Sequence, residues 1–283
     1  HDTRSCGACT GTPSVAEVKR RIDLLVDGWK ANFMRLDLES YGTSGVLTDA
    51  TYLSYIQQIV QYIGTKPNVY VMLSVWVDPS LTNTGWPSAN TNKILQKLVD
   101  TFHHTPYVLF GISNEPQGNY DGSLDSQVWT LMNNAVTAVR SQEAMYGGPQ
   151  HVVAAQGTGG WSRFLQYYMT HPITAGGGTN VAYEVHVYDP ASTFTDRFIN
   201  PSKVIPVIIG EYGPVSGTMT TADCTTLQTQ AKAAEVPYLA WTFHMRCPPN
   251  LLVDNSNGGC GVGMSLAPSP WGQVVQKDLA TAW

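Results

Sequence analysis

The sequence predicts an α/β fold, a (β/α)8 TIM barrel whose first strand is not evident in the chain. Short β-rich segments alternate with amphipathic helices over the 283 residues, as in βα units that build a parallel sheet. The β-rich segments are almost continuously apolar, which strands buried on both faces require. No linker or internal repeat divides the chain, so we expect residues 1–283 to form a single domain. A doubly wound sheet shares this alternation and stays open at this point.

Seven segments combine β-branched, aliphatic and aromatic residues in short apolar runs that suit buried strands. The run Val-Tyr-Val-Met-Leu-Ser-Val-Trp at 69–76 is a clear example. Each segment is followed by a helix or a helix-like crossover. The predicted strands are residues 32–38, 69–76, 108–114, 151–156, 181–188, 204–211 and 238–243.

Between the strands, apolar residues recur every three or four positions, the spacing of a helix with one buried face. Gly28 and Gly64 end the first two of these segments. A short irregular stretch precedes residue 204 in place of a regular helix. The predicted helices are residues 14–28, 53–63, 94–102, 129–139, 162–169, 222–234 and 271–280.

The first strand of a barrel is missing from this pattern. Residues 1–12 are polar and contain two cysteines, so they do not suit a buried strand. The helix that begins at Ser14 would normally follow such a strand. Because a barrel that lacks one strand exposes two sheet edges, we expect the strand to lie upstream of the chain shown or to be replaced by the N-terminal segment of a partner.

The composition limits the classes of partner. Hydrophobic residues make up 43% of the chain, enough for a large core. Charged residues make up 13%, about half of the usual share of roughly 25%. The net charge of −5 would repel nucleic acid, and no stretch reaches the roughly 18 apolar residues of a membrane span. We therefore expect neither nucleic acid nor membrane as a partner, and a surface that suits neutral, hydroxylated ligands.

The cysteines indicate secretion. Cys6 and Cys9 form a CxxC that lacks both a second CxxC for zinc and the strand and helix of a redox motif. Cys247 and Cys260 bracket a loop rich in Gly, Asn and Pro. We expect loop-stapling disulfides in a secreted protein, with one of the five thiols left over.

Reactive side chains of an α/β barrel gather at the C-terminal ends of the strands and in the loops that follow. Two of the predicted strands are closed by a glutamate, Glu115 and Glu211, in a chain with few charges. Two carboxyl groups at one barrel mouth can hydrolyse a glycoside, since one donates a proton while the other attacks or stabilises the anomeric carbon. The other polar or aromatic residues at strand ends are Arg35, Trp76, Asn114, His186, Tyr188, Trp241 and His244.

These residues stand in motifs that resemble glycoside hydrolase family 5, which belongs to the clan of (β/α)8 retaining glycosidases. The resemblance extends from about residue 14 to residue 283. Asn-Glu-Pro alone is a weak signal, but five motifs in the right order, each at a strand end, are a strong one. They are Asn-Phe-Met-Arg-Leu at 32–36, Ile-Ser-Asn-Glu-Pro at 112–116, His-Val-Tyr at 186–188, Ile-Gly-Glu-Tyr-Gly at 209–213 and Leu-Ala-Trp at 239–241.

The resemblance implies a role for each charged residue. Glu115 is expected to be the acid/base and Glu211 the nucleophile, which gives a covalent glycosyl-enzyme and net retention. Arg35 is expected near Glu211, where its permanent charge favours the ionised nucleophile. Tyr188 is expected to donate a hydrogen bond to Glu211, and His186 to orient the acid/base or the sugar.

The resemblance also implies how the sugar is held. Asn114 is expected to bind the 2-hydroxyl, and Trp241 to form the apolar floor beneath the ring. Many members of the family place a histidine at the end of the third strand. This chain reads Leu-Ser-Val-Trp-Val-Asp-Pro there, so Trp76 or Asp78 is expected to replace it.

Three further aromatic residues fall in loops on the predicted catalytic side. Trp86, Trp161 and Tyr120 are each either a stacking platform for an additional sugar or an exposed structural aromatic. The sequence does not decide between the two readings.

The sequence thus predicts a secreted retaining glycoside hydrolase, endo-acting on a β-1,4-linked glucan such as cellulose or mixed-linkage β-glucan. An endo-β-1,4-mannanase with the same catalytic pair is the alternative. A non-hydrolytic carbohydrate-binding relative or an inactive truncated barrel represents a different class. The expected partner is a polysaccharide and the expected state is a monomer. No cofactor or metal is expected, because Asp254, Asn255 and Asn257 match no complete calcium loop.

Overall fold

The computed structural model describes residues 15–38, 45–76, 85–148, 150–256 and 261–281. Within them, seven parallel strands form one sheet in which each strand pairs with its neighbours in chain order. This order is that of a barrel, since a doubly wound sheet reverses its strand order at a switch point. The strands are β1 (Phe33–Leu38), β2 (Tyr70–Val75), β3 (Val108–Gly111), β4 (Val153–Gln156), β5 (Val181–Val187), β6 (Val207–Tyr212) and β7 (Tyr238–Ala240).

The first and last of these strands, β1 and β7, approach each other and nearly close the barrel. Between them lies a cavity of about 150 Å³, lined mainly by apolar side chains that include Ile22, Leu25, Phe33 and Leu239. No strand of the described residues fills this seam. The described residues therefore contain seven strands of a (β/α)8 barrel, and the place of the expected first strand stays a prediction.

The helices begin where side chains cap their free amides. Asp49 accepts hydrogen bonds from the amides of Thr51 and Tyr52, and Ser88 forms a reciprocal capping box with Thr91. The helices are α1 (Val15–Asp23), α2 (Ala50–Ile63), α3 (Ala89–Phe102), α4 (Asp125–Ala144), α5 (Gln166–Thr170), α6 (Asn200–Ser202), α7 (Thr221–Ala233) and α8 (Pro270–Leu279).

The interior of the barrel changes from apolar at its floor to polar at its mouth. Successive side chains of a strand point to opposite faces, so alternate residues face inward. The floor is a separate apolar cluster formed by Met72, Ala154, Ala182, Ile208 and Leu239. Two residues further along the same strands stand Ser74, Gln156, Glu184, Gly210 and Trp241. The sheet therefore supports the mouth with a layer of mostly polar residues.

The predicted helix at 162–169 is wrong in its first half, and only residues 166–169 are helical. The chain instead forms a single turn at Gly160–Ser162, followed by the short helix α5. Trp161 and Ser162 adopt the left-handed conformation, with φ of 64° and 55°, which no right-handed helix contains. The Ser162 hydroxyl points inward and donates to the Glu184 carbonyl at 2.8 Å. This inward hydrogen bond fixes a turn where the apolar spacing indicated a helix.

Two other expectations concern cysteines and membranes. Cys224 is a free thiol buried on α7, which leaves four cysteines for the predicted disulfides. Cys6, Cys9 and Cys260 lie outside the described residues, so the disulfides stay a prediction. Among the helices that the structure describes, none is long and apolar enough to cross a membrane.

Candidate active site

A cleft of about 390 Å³ opens at the C-terminal ends of the strands. It is lined by six of the eight residues with a predicted catalytic or substrate-binding role. The other two, Arg35 and His186, lie beneath it with almost no exposed surface. The cleft is lined by Trp76, Asn114, Glu115, Trp161, Arg163, Tyr188, Glu211, Val215, Thr218, Trp241, Pro248 and Pro249.

Glu115 stands in the turn that follows β3. Its backbone is left-handed, with φ of 48°, and its amide donates to Oε1 of Gln156 at 2.6 Å, which ties the turn to β4. The carboxylate atom Oε1 lies 2.9 Å from Nδ1 of His186. The side chain keeps 19% of its surface exposed. This carboxyl group is therefore held from below and open to the cleft.

Glu211, near the end of β6, is the more buried of the two carboxyl groups. Arg35 Nη1 lies 2.5 Å from its Oε1, and the Tyr188 hydroxyl donates to its Oε2 at 2.9 Å. Burial raises the pKa of Tyr188 well above its usual value, so this phenol stays a donor. Burial also raises the pKa of Glu211 to about 7, although the positive charges of His186 and Arg35 lower it.

Arg35, from β1, joins several elements at once. Besides Glu211, it donates from Nη2 to Oδ1 of Asn114 at 2.7 Å and from Nε to Oγ of Ser74 at 3.0 Å. Its Nη2 also lies 3.1 Å from Oδ1 of Asp37. Because Oδ1 of Asn114 accepts from the guanidinium, Nδ2 of the same amide is the group left to donate to a ligand.

His186, from β5, is buried between carboxylates. Its Nδ1 faces Glu115, and its Nε2 lies 3.1 Å from Oε1 of Glu184. Burial alone would lower the pKa of His186, but the charge of Glu211 and the hydrogen bonds with Glu115 and Glu184 raise it to about 10. These carboxylate contacts favour the protonated form of the ring, although its Nε2 also lies 3.2 Å from the amide nitrogen of Gln156.

This protonation bears on metal binding. Glu115, His186 and Glu211 offer one ligand atom each, all within 4.8 Å of one another. A metal-ligating histidine must be neutral and supply a ring lone pair. Both ring nitrogens of His186 face carboxylate oxygens and carry protons in the imidazolium. A protonated His186 could not ligate a metal ion, and the three groups lie close enough to share protons and charge.

Two tryptophans form an apolar surface in the cleft. The rings of Trp76 and Trp241 are nearly parallel, with centroids 6.4 Å apart and an interplanar angle of 16°. The carbonyl of Trp241 accepts a hydrogen bond from Trp271 Nε1 at 2.9 Å, which ties the segment after β7 to α8. Aromatic faces of this kind suit the C–H faces of pyranose rings.

The other residues considered for the site differ in whether they line the cleft. Trp161 lies in the cleft and is 40% exposed, whereas Trp86 is buried and donates from Nε1 to the Gln117 carbonyl. Tyr120 is exposed, but it packs over Gly160 and does not line the cleft. His244 is buried outside the cleft lining. Asp78 lies outside the described residues.

The sequence reasoning missed the layer beneath the cleft. Ser74, Gln156 and Glu184 contact the predicted site residues from below, and Asp37 lies beside Arg35. The signal was present in the alternation of each strand. Glu184 precedes His186 by two residues and therefore shares its inward face.

The sequence model described as "Cellulase (glycosyl hydrolase family 5)" matches residues 9–246. No curated protein sequence matches the chain. Several solved structures have the same fold.

The catalytic domain of endoglucanase Cel5A from Thermobifida fusca is 17% identical, with a TM-score of 0.74 over 99% of this chain and 90% of that one. A β-glucanase from Saccharophagus degradans in complex with cellotetraose is 16% identical, with a TM-score of 0.73 over 93% and 82%. A β-mannanase from Thermomonospora fusca is 20% identical, with a TM-score of 0.71 over 94% and 87%. The chain is thus a glycoside hydrolase by descent, and it belongs to glycosyl hydrolase family 5.

Proposed function

We propose that the protein is a retaining endo-glycosidase that cleaves a β-1,4-linked glucan by double displacement with Glu115 and Glu211. The observation that carries the proposal is the spacing of the two carboxyl groups, whose nearest oxygens lie within 4.8 Å. Retaining enzymes hold the two groups about 5–5.5 Å apart, whereas inverting enzymes leave about 6.5–9.5 Å for a water molecule. The short spacing supports direct attack by one carboxylate.

The surroundings of each carboxyl group support the assignment of roles. Glu211 accepts from Arg35 and Tyr188, and hydrogen bonds to a carboxylate favour its charged form. Glu115 is more exposed and has one such partner, Nδ1 of His186 at 2.9 Å. A single proton shared by the pair therefore belongs on Glu115 and leaves Glu211 free to attack.

The reaction then follows in two steps. Glu115 gives its proton to the glycosidic oxygen while Glu211 attacks the anomeric carbon, which releases the leaving sugar and forms a glycosyl ester. Glu115, now a carboxylate, takes a proton from water as the water attacks the same carbon, and Glu211 leaves. Asn114 Nδ2 is positioned by Arg35 to donate to the 2-hydroxyl.

A glucan is proposed as substrate on three grounds. The cleft is open, it carries parallel tryptophan faces, and structures of the endoglucanase and the β-glucanase described above hold cellotetraose. The similarity to a β-mannanase keeps mannan as the second candidate. The monomeric state and extracellular location stay predictions.

The test is hydrolysis of a panel of soluble β-glucans and β-mannans, with product lengths recorded. Wild type is compared with Glu115→Gln and Glu211→Gln, each checked for folding by circular dichroism. We expect cleavage of a β-glucan into mixed oligosaccharides and loss of that cleavage in both variants. Cleavage of mannan alone would show that the substrate is a mannan and not a glucan. No cleavage of any polymer by folded wild type would contradict an active β-1,4-glycanase.

A further inference from the structure

We propose that Glu184 is a positioning residue of the catalytic site, whose buried carboxylate couples the cation beside the nucleophile to the cation beside the acid/base. The inference deepens the proposed function and rests on it. Glu184 touches neither the cleft nor a reacting atom. It acts through Arg35 and His186, which in turn contact the two catalytic carboxyl groups.

The fold places this side chain close to a neighbouring strand. Glu184 is fully buried on the inward face of β5. On β6, a Cβ added to Gly210 would lie 1.9 Å from Glu184 Oε1. Any other residue at this position would collide with the carboxylate. The glycine before Glu211 therefore serves the placement of Glu184.

The contacts of Glu184 join two halves of the site. Its Oε1 lies 3.2 Å from Arg35 Nε and 3.1 Å from His186 Nε2. Arg35 continues to Glu211, and His186 continues to Glu115. The result is a chain of alternating charges in which one buried oxygen atom connects the nucleophile side to the acid/base side.

The same contacts are a poor way to stabilise a core. The second oxygen of Glu184, Oε2, is buried without a hydrogen-bond partner in the described residues. A buried polar atom left without a partner is destabilising, and a buried ion pair is often no more stable than an apolar replacement. The cost of keeping this carboxylate indicates a use other than packing.

That use is electrostatic. The charged or titratable groups that face this region are Arg35 and Asp37 from β1, His186 and Tyr188 on or just after β5, Glu115 after β3, and Glu211 from β6. With Glu184 ionised, the negative charges outnumber Arg35 and the His186 imidazolium, so the catalytic pair retains a proton more readily. Removal of this negative charge lets both His186 and the pair release protons at lower pH.

The first experiment compares kcat/KM against pH for wild type, Glu184→Gln and Glu184→Asp. A unit charge at this distance shifts a pKa by about 1–3 units. We therefore expect the basic limb of the Glu184→Gln profile to move to lower pH by about one unit or more, with KM changed less than kcat. Glu184→Asp keeps the charge and should restore much of the wild-type profile.

The matched control is Glu143→Gln. Glu143 is also buried between an arginine and a histidine, with Arg140 at 2.6 Å and His151 at 2.9 Å, but none of the three lines the cleft. This control should leave the pH profile of activity unchanged. A Glu184→Gln profile that coincides with wild type, or a Glu184→Asp profile that coincides with Glu184→Gln, would overturn the proposal.

A second measurement is independent of activity. NMR titration of the His186 ring in the full chain should show a protonated ring well above pH 7 in wild type. In Glu184→Gln its titration should move to lower pH by about one unit or more. A wild-type ring that is neutral at pH 7 would overturn the inference even if Glu184→Gln fails to fold. An inactive wild type with the expected titrations would contradict the proposed function alone.

Discussion

Two buried clusters in this barrel use the same three residue types, a glutamate between an arginine and a histidine. The basal cluster is Glu143, Arg140 and His151, where His151 precedes the start of β4. The upper cluster is Glu184, Arg35 and His186, beneath the catalytic cleft. The chemistry of the side chains is the same, so the differences must come from placement.

In the basal cluster both oxygens of Glu143 have partners, although Nε of Arg140 is buried without one in the described residues. Glu143 accepts from the amide and the ring of His151 at 2.8 and 2.9 Å on one oxygen, and from Arg140 at 2.6 Å on the other. Its partners are within eight residues in the chain. The upper cluster takes its members from β1 and β5 and leaves one oxygen of Glu184 unpartnered within the described residues. The short-range contacts of Glu143 serve stability, whereas the contacts of Glu184 across the sheet serve the site.

The largest expected difference between the clusters is in activity. Arg35→Lys should lower kcat/KM by about 10²-fold or more, since a point charge cannot hold Glu211, Asn114 and Ser74 together and small misplacements of reacting groups are costly. Arg140→Lys should leave kcat/KM within about threefold of wild type, because it contacts no cleft residue. Steady-state kinetics on a soluble β-glucan checks both. Equal losses of kcat/KM in the two variants would contradict the proposed functional difference between the two clusters.

The basal cluster is expected to contribute to stability and not to activity. Glu143→Ala should lower the free energy of unfolding by about 3 kcal/mol, because it leaves Arg140 buried without its carboxylate. Urea unfolding followed by circular dichroism measures this loss. The remaining folded protein should keep the wild-type pH profile of activity. A loss below about 1 kcal/mol would show that the basal cluster behaves like a surface ion pair.

Activity and stability should also depend on pH in different ranges. Activity requires one proton on the pair of Glu115 and Glu211, and burial raises the pKa of Glu211 to about 7. Raising the pH removes that shared proton, so kcat/KM should fall above about pH 7. A profile that stays flat to pH 9 would contradict the shared proton.

The free energy of unfolding should depend on pH in the acid range through Glu143. Burial alone would raise the pKa of Glu143, but hydrogen bonds from His151 and Arg140 hold it below its usual value. A lowered folded pKa gives stability that is present above the unfolded pKa of about 4.3 and is lost as the pH falls through the folded value. Glu143→Gln should therefore flatten the dependence of the unfolding free energy on pH in this acid range. An unchanged slope would show that other carboxyl groups dominate.

The smallest expected effect lies at the rim of the cleft, above the upper cluster. Trp161→Ala should raise KM for long oligosaccharides about two- to tenfold with little change in kcat, since one aromatic contact contributes about 0.5–1.5 kcal/mol. Tyr120→Ala, outside the cleft lining, is the control and should change neither parameter. A large fall in kcat for Trp161→Ala would place this residue among the groups that position the reaction.

The sequence predicts the strands and the site residues because both follow from local patterns. Buried parallel strands read as apolar runs, and their C-terminal ends meet at one mouth, so the sequence alone pairs Glu115 with Glu211. The helix expected at 162–169 begins only at Gln166, because the inward hydrogen bond of Ser162 is a tertiary contact. Glu184 was not predicted because its partners lie on another strand of the sheet or two residues along its own strand. It also lies one layer below the strand ends, where the prediction of site residues stopped.

The most direct test of the central claim is the stereochemistry of the first product. Hydrolysis of a β-1,4-linked oligosaccharide, followed by ¹H NMR before mutarotation, reports the anomer that the enzyme releases. Attack by Glu211 and then by water gives two inversions, so we expect the β-anomer to appear first. Initial release of the α-anomer would show a single displacement and would contradict the assignment of Glu211 as the nucleophile.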